Sequence, residues 1–149
     1  HQAGRLCISE EQHIVYREAA VSSAATQAPA ADSASDASRM WSFDATALFR
    51  YSALTFNGHR IHYDLDYAKN EEHYPGLIFH GPLQTTLLLD LCRRHAGRPI
   101  RKLDYRALHP VFHGERLTIN GEPSADGASA QVWTANAAGN QAMAGTAYF

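Results

Sequence analysis

Between Thr55 and Asp64 the chain reads TFNGHRIHYD, with two histidines, an asparagine and an aspartate inside ten positions. Metal binding, acid–base catalysis and a plain polar turn are all open to such a set. His59, His62 and Asp64 spell H-x-x-H-x-D, and His80 is available as a fourth ligand. Zinc sites, however, usually carry their ligands in tightly spaced pairs, and the sequence has no second pair. Gly58 and the β-leaning IHYD also argue against the shared helix face that would join His59 to His62. The spacing therefore speaks against a metal site.

Acid–base work needs a histidine beside the reacting molecule and, opposite it, a donor that stabilises developing charge. FHGPL, residues 79–83, offers that donor. A helix start there presents free N–H groups at the positive end of the helix dipole. Pro82 has no N–H, which leaves the Gly81 amide, and glycine admits close approach of a ligand to the backbone. Taken singly, Gly81-Pro82 also reads as no more than a helix start, and His62 as a hydrogen-bonded loop histidine.

The elements that must place these residues are legible in outline. In GPLQTTLLLDLCRRHAG, Leu83, Leu87 and Leu91 recur every four residues, flanked by Leu88 and Cys92. Gly81 and Pro82 suit the cap and first helical position. Arg93, Arg94 and His95 complement the negative end of the dipole, and Gly97 with Pro99 stops the helix. Apolar residues cover more than half of the circumference, which predicts a buried helix. Upstream, SFDATALFRYSALTF predicts a helix capped by Ser42, with Ala45, Leu48, Phe49 and Ser52 at helical spacing. DLDYAKNEE reads as a helical turn and HYPG as a turn. Downstream, residues 100–109, 115–123, 129–137 and 141–149 predict four strands, parted by turns at Gly114, Asp126-Gly127 and Gly139-Asn140. A buried helix followed by an antiparallel meander is an α+β pattern, a curved sheet wrapped around one long helix. Residues 4–20 read as extended, and the Ala/Ser-rich stretch 20–40 lacks the large apolar side chains a packed element needs. The expected organisation is a strand of an upstream unit over 1–19, a flexible linker over 20–40 and the main domain over 41–149.

Composition narrows the function classes. The 149 residues are 45% hydrophobic and 19% charged, enough to bury one core of ordinary size. A net charge of −2 gives no electrostatic reason to expect nucleic acid or an anionic membrane as a partner. The small basic patch of Arg93, Arg94, Arg98, Arg101 and Lys102 suits a phosphate-bearing small ligand better than a duplex. No run of about 18 apolar residues occurs, so no membrane-spanning helix is expected, and no secretory signal peptide is recognised. Cys7 and Cys92 form no CxxC pair and read as free thiols in a reducing compartment such as the cytoplasm. The chain opens on His1 rather than Met, which reads as a processed chain or a fragment.

FRYSALTFNGHRIHYDLDYA followed by GLIFHGPLQTTLLLDL resembles the MaoC-like hydratase–dehydratase family. Its members carry S/T-G-D-x-N-P-x-H-x-D ahead of a V-H-G helix start. The likeness spans about residues 41–120 and is greatest to the mesaconyl-C4-CoA hydratase branch. It implies a hot-dog fold, no cofactor, and reversible hydration of an α,β-unsaturated acyl-CoA thioester. Matched residue by residue, the family's catalytic histidine falls on His62 and its thioester-binding amide on Gly81. Its catalytic aspartate falls on Asn57, a departure in chemistry, because an amide cannot act as a general base; Asn57 is left to hold the water. His80, Asp64 and Arg106 are expected at the substrate, Arg106 replacing a positive charge at a position occupied by His109. Asp64 is also open to orienting His62 or to being a solvated turn charge.

Members of that branch are double hot dogs, in which a degenerate N-terminal half covers the acyl chain. The resemblance therefore implies pairing, as a homodimer or with an N-terminal half whose last strand is residues 4–20. Two rival functions stay open. Asn57 in place of the base favours a non-catalytic acyl-thioester-binding module. A hot-dog thioesterase needs a carboxylate on the long helix, where Asp90 is the only acid.

Overall fold

The computed structural model describes residues 1–14 and 39–149. Strand β1 (Arg39–Ser42) leads into helix α1 (Ala45–Thr55), a 3-10 turn (Arg60–His62) and the short helix α2 (Leu65–Asn70). The long helix α3 (Gly81–His95) follows, and then strands β2 (Lys102–Ala107), β3 (Arg116–Pro123), β4 (Ser129–Ala135) and β5 (Gln141–Tyr148). The five strands form one sheet in the order β1-β3-β4-β5-β2, with every neighbouring pair antiparallel. This is the expected α+β architecture, with all four downstream strands inside their predicted bounds.

The core forms where α3 meets the sheet. Leu83, Leu87, Leu88, Leu91 and Cys92 of the helix are buried with Leu117 and Ile119 of β3, Ala130 and Val132 of β4, and Ala142, Met143 and Ala147 of β5. Each buried leucine contributes about 1.5–3 kcal/mol relative to exposure, so this leucine row holds the helix in place. Small residues on the facing strands let it come close. A Cβ added to Gly121 of β3 would lie 3.1 Å from Leu91 Cδ2. Beyond α3, Gly97 takes a positive φ of 64° and ends the helical run as expected.

Three details differ from the sequence expectation. Helix α1 is capped by Asp44, whose Oδ1 accepts from the Ala47 N–H at 2.8 Å. Ser42 instead ends β1, paired with Arg116. Four residues are too few to show alternation, so β1 leaves no sequence pattern, and Arg39 and Met40 belong to it rather than to the linker. On α1 the buried residues are Leu48 and Ser52, while Phe49 is exposed. Residues 1–14 are exposed, and among them the one bridge joins Gln2 to Arg5, so residues 6–14 carry no strand pairing. Residues 15–38, which hold the rest of the expected strand and most of the expected linker, lie outside the described residues.

Gly145 sits where β5 meets the edge strand β2. A Cβ there would run into the Asp104 carbonyl oxygen and lie 2.9 Å from Tyr105 Cα. Backbone cannot yield as a side-chain tip can. Gly145→Ala is expected to destabilise the fold by about 1–3 kcal/mol, read from the urea midpoint; an unchanged midpoint would mean that β2 pairs less closely than observed.

Candidate active site

Helix α1 ends at Phe56, which takes the left-handed conformation (φ 54°), and the chain then turns back over its own last turn. The Asn57 N–H bonds to the Ser52 carbonyl at 2.9 Å, and Asn57 Oδ1 accepts from the His59 N–H at 3.0 Å. Tyr63 Oη donates to the Gly58 carbonyl at 2.9 Å. These bonds make 57–63 an ordered turn and bring His62 to the inner end of the 3-10 turn.

Ile78 fixes His62 from the other side. Its N–H donates to the Ile61 carbonyl at 3.0 Å, and its carbonyl accepts from His62 Nδ1 at 2.8 Å. The Ile78 segment is itself clamped, because the Phe79 N–H bonds to Val111 O at 2.7 Å and the His113 N–H to Leu77 O at 2.9 Å. His113 Nδ1 also accepts from the Leu77 N–H at 3.1 Å. A carbonyl can only accept, so the His62 proton sits on Nδ1 and the lone pair on Nε2. That is the form of a histidine ready to take a proton.

The His62 ring is 8% exposed and stacks on His80, with centroids 3.8 Å apart and planes 20° from parallel. His59 meets His62 edge-on at 5.7 Å. His80 is 0% exposed; its Nε2 lies 2.8 Å from Ser52 Oγ, and the Tyr51 ring packs against it at 4.7 Å. Burial holds His62 below the ordinary histidine value despite the opposing pull of the Ile78 carbonyl, and His59 lowers it further. Burial first, and then facing His62, push His80 down to about 4.

His80 immediately precedes Gly81, so the stack carries His62 to the start of α3. No side chain caps that helix end. A Cβ on Gly81 would touch only Met143 Cε, at 3.9 Å. Among the described residues no contact at that position demands glycine.

The remaining residues singled out from the sequence fall elsewhere. Asp64 caps α2, with Oδ1 accepting from the Tyr67 N–H at 3.0 Å and Oδ2 paired with Arg60 at 2.8 Å. Both oxygens are spent, and the backbone bond from Tyr67 followed by Arg60 holds its carboxyl below the usual range. Arg106 is an exposed residue of β2 opposite Ala144, and among the described residues no interaction joins it to the histidines. Asp90 pairs with Arg93 and Arg94, about 13 Å along α3 from Gly81. Three participants had no place in the sequence reading of the site. Ser52 carried a signal, a polar residue on an otherwise apolar helix face, and Tyr51 beside it carried none. The Ile78 carbonyl is backbone, which no residue type reveals.

A neutral buried histidine leaves a pH signature. The His80 value of about 4 lies below the ordinary histidine value of 6.5, so between them the unfolded chain binds more protons than the folded one. Stability is therefore full above the unfolded value and falls as pH drops through this window, by about 3 kcal/mol in total. Urea midpoints measured across the window should decline steeply for the native chain and less for His80→Gln; equal slopes would place the acid sensitivity elsewhere.

The sequence profile described as hydroxyacyl-thioester dehydratase type 2 matches residues 1–113. The chain is 45% identical over 127 residues to the mesaconyl-C(4)-CoA hydratase of Chloroflexus aurantiacus, covering 85% of this chain and 45% of that protein. It spans between 39% and 45% of the length of the curated relatives it matches. An (R)-hydratase from A. caviae involved in PHA biosynthesis superposes with a TM-score of 0.63 at 19% identity, over 86% of this chain and 96% of that one. A MaoC-like dehydratase from Rhodospirillum rubrum gives 0.58 at 19% identity, over 74% and 85%. These two likenesses identify the fold as the hot dog. The profile match, which takes in every residue from the Asn57 turn to the clamp at His113, shows that the chain belongs to the hydroxyacyl-thioester dehydratase type 2 family.

Proposed function

We propose that the chain is the catalytic half of a hydratase–dehydratase that adds water reversibly across the double bond of an α,β-unsaturated acyl-CoA thioester. The observation that carries the proposal is the bond from His62 Nδ1 to the Ile78 carbonyl, which leaves Nε2 as a base beside the start of α3. His62 takes a proton from water and returns one to the α-carbon, while the Gly81 amide and the helix dipole hold the thioester oxygen as the enolate forms. Asn57 has its Oδ1 engaged by the His59 N–H, so its side-chain NH₂ is what remains to hold the water. The named relatives are hydratases and dehydratases of thioesters, which supports this class. A mesaconyl-type acyl group is the first substrate to test.

The thioesterase reading loses support because both carboxylate oxygens of Asp90 are taken up by arginines far from the helix start. Pairing with a second hot-dog domain belongs to the proposal. Phe49, Leu54 and Phe56 lie along α1 and its end with 58%, 79% and 95% exposure, a concentration of apolar surface that a partner would cover.

Purified protein given crotonyl- or mesaconyl-CoA should consume the enoyl absorbance without releasing free thiol. His62→Ala should lower turnover by about 10²–10⁴ with the fold retained; undiminished turnover would remove His62 from the mechanism. Gly81→Ala keeps the amide and fits this chain sterically, so it should keep its melting temperature yet lose rate, because its methyl occupies the space through which the thioester oxygen approaches. A loss of stability instead would mark Gly81 as a packing residue. With Asn57 unable to titrate and His62 held low, the rate should stay flat through the ordinary histidine range and fall at more acid pH along a single limb. A second limb would mean that a carboxylate acts as the base.

A further inference from the structure

The buried polar pair behind His62 has no part in the mechanism so far. Ser52 is 4% exposed and His80 0%, so neither meets solvent. Two polar groups in a leucine-rich core are costly to keep unless they serve something. We propose that Ser52 and His80 are positioning residues for His62: the hydroxyl locks the His80 ring, and that ring, stacked beneath His62, fixes the plane of an imidazole whose tautomer the Ile78 carbonyl sets. The proposal rests on the acid–base role given to His62.

Hydrogen bonding assigns the protons. Among the described residues His80 Nδ1 is buried with no partner, while Nε2 meets Ser52 Oγ. A buried N–H left unpaired is rarer and costlier than an unpaired acceptor. The His80 proton therefore sits on Nε2 and is donated to Ser52 Oγ. His62 carries its proton on the other nitrogen, Nδ1, donated to Ile78. The two stacked rings are thus opposite tautomers, each pinned by a partner from a different segment, α1 for one and the strand-like run before α3 for the other.

The stack also confines the travelling proton. At 3.8 Å the two rings cannot both be cationic. The other titratable side chains against them are Tyr51 from α1 and His59 from the turn. Among the described residues no carboxylate, lysine or arginine interacts with either ring. Stacked face to face, the rings offer no in-plane N–H···N path between them, and Nδ1–H of His62 is held by Ile78, so a proton taken up by His62 leaves by Nε2. His80 is in this sense an insulating floor rather than a relay.

Histidine ¹⁵N–¹H spectra of the whole chain, without substrate, test this directly. The expected result is His80 as the Nε2–H tautomer and His62 as the Nδ1–H tautomer. Ser52→Ala should abolish the His80 preference and move the ionisation of His62 up toward the ordinary histidine value, and Ser52→Thr, which keeps the hydroxyl, should restore both. In turnover, Ser52→Ala should lower kcat by about tenfold, less than the 10²–10⁴ owed to a proton-transfer group itself. KM should be unchanged and the acid limb should move to higher pH. His80 found as the Nδ1–H tautomer, or a Ser52→Ala chain whose His62 titration is unaltered, overturns the proposal. So does a loss confined to KM, which would make His80 a substrate contact. If the native chain hydrates no enoyl-CoA, the functional reading fails while the tautomer result still decides the positioning role.

Discussion

The site depends on one backbone residue. Ile78 gives its N–H to Ile61 and its carbonyl to His62, so a single peptide unit sets both the position of the 3-10 turn and the orientation of the imidazole. A side-chain partner would bring its own rotamers and its own titration. A carbonyl in a paired segment has neither, and it binds the Nδ1 proton at any pH the fold survives. The leucine row of α3, the pairing of Leu77 and Phe79 with 111–113, and the cap of α2 by Asp64 all converge on holding that peptide unit still.

Desolvation keeps the two stacked histidines neutral. His62 and His80 are both held toward the neutral state by burial, and the nearest carboxylate in sequence, Asp64, is occupied by Arg60 and the Tyr67 amide. The base is therefore kept free by the absence of stabilising counter-charge. Asn57 fits the same scheme. An aspartate in its place would add a negative charge to the turn that carries His62 and favour the imidazolium, whereas the amide contributes a hydrogen bond and no charge.

Much of this was legible in the residues, and the rest was not, for identifiable reasons. The four-residue leucine spacing located α3 almost to its ends because a buried helix must repeat its apolar face. The glycine-marked turns separated β2 to β5 in the same way. His62 and Gly81 could be picked out as a pair, but their approach depends on a stack through His80 and a carbonyl on Ile78, neither of which has a spacing rule. Asp64 was harder still, since an aspartate ahead of a short helix serves as a cap as readily as a catalytic partner. Arg106 was matched by charge alone, and a strand residue's charge says nothing about which face of a sheet edge it occupies.

The clamp at Val111–His113 has a consequence for how the chain comes to life. TFNGHRIHYD and FHGPL are synthesised before the clamp, and the segment between them is held by residues that emerge well after α3 is complete. Contacts of that sequence separation form late, because closing the loop must be paid in entropy before it is rewarded. A nascent chain halted ahead of residue 111 would contain every chemically active residue while holding none of them in register. The ordered arrangement then arrives as a threshold in synthesis, crossed when three residues of connecting chain take their places.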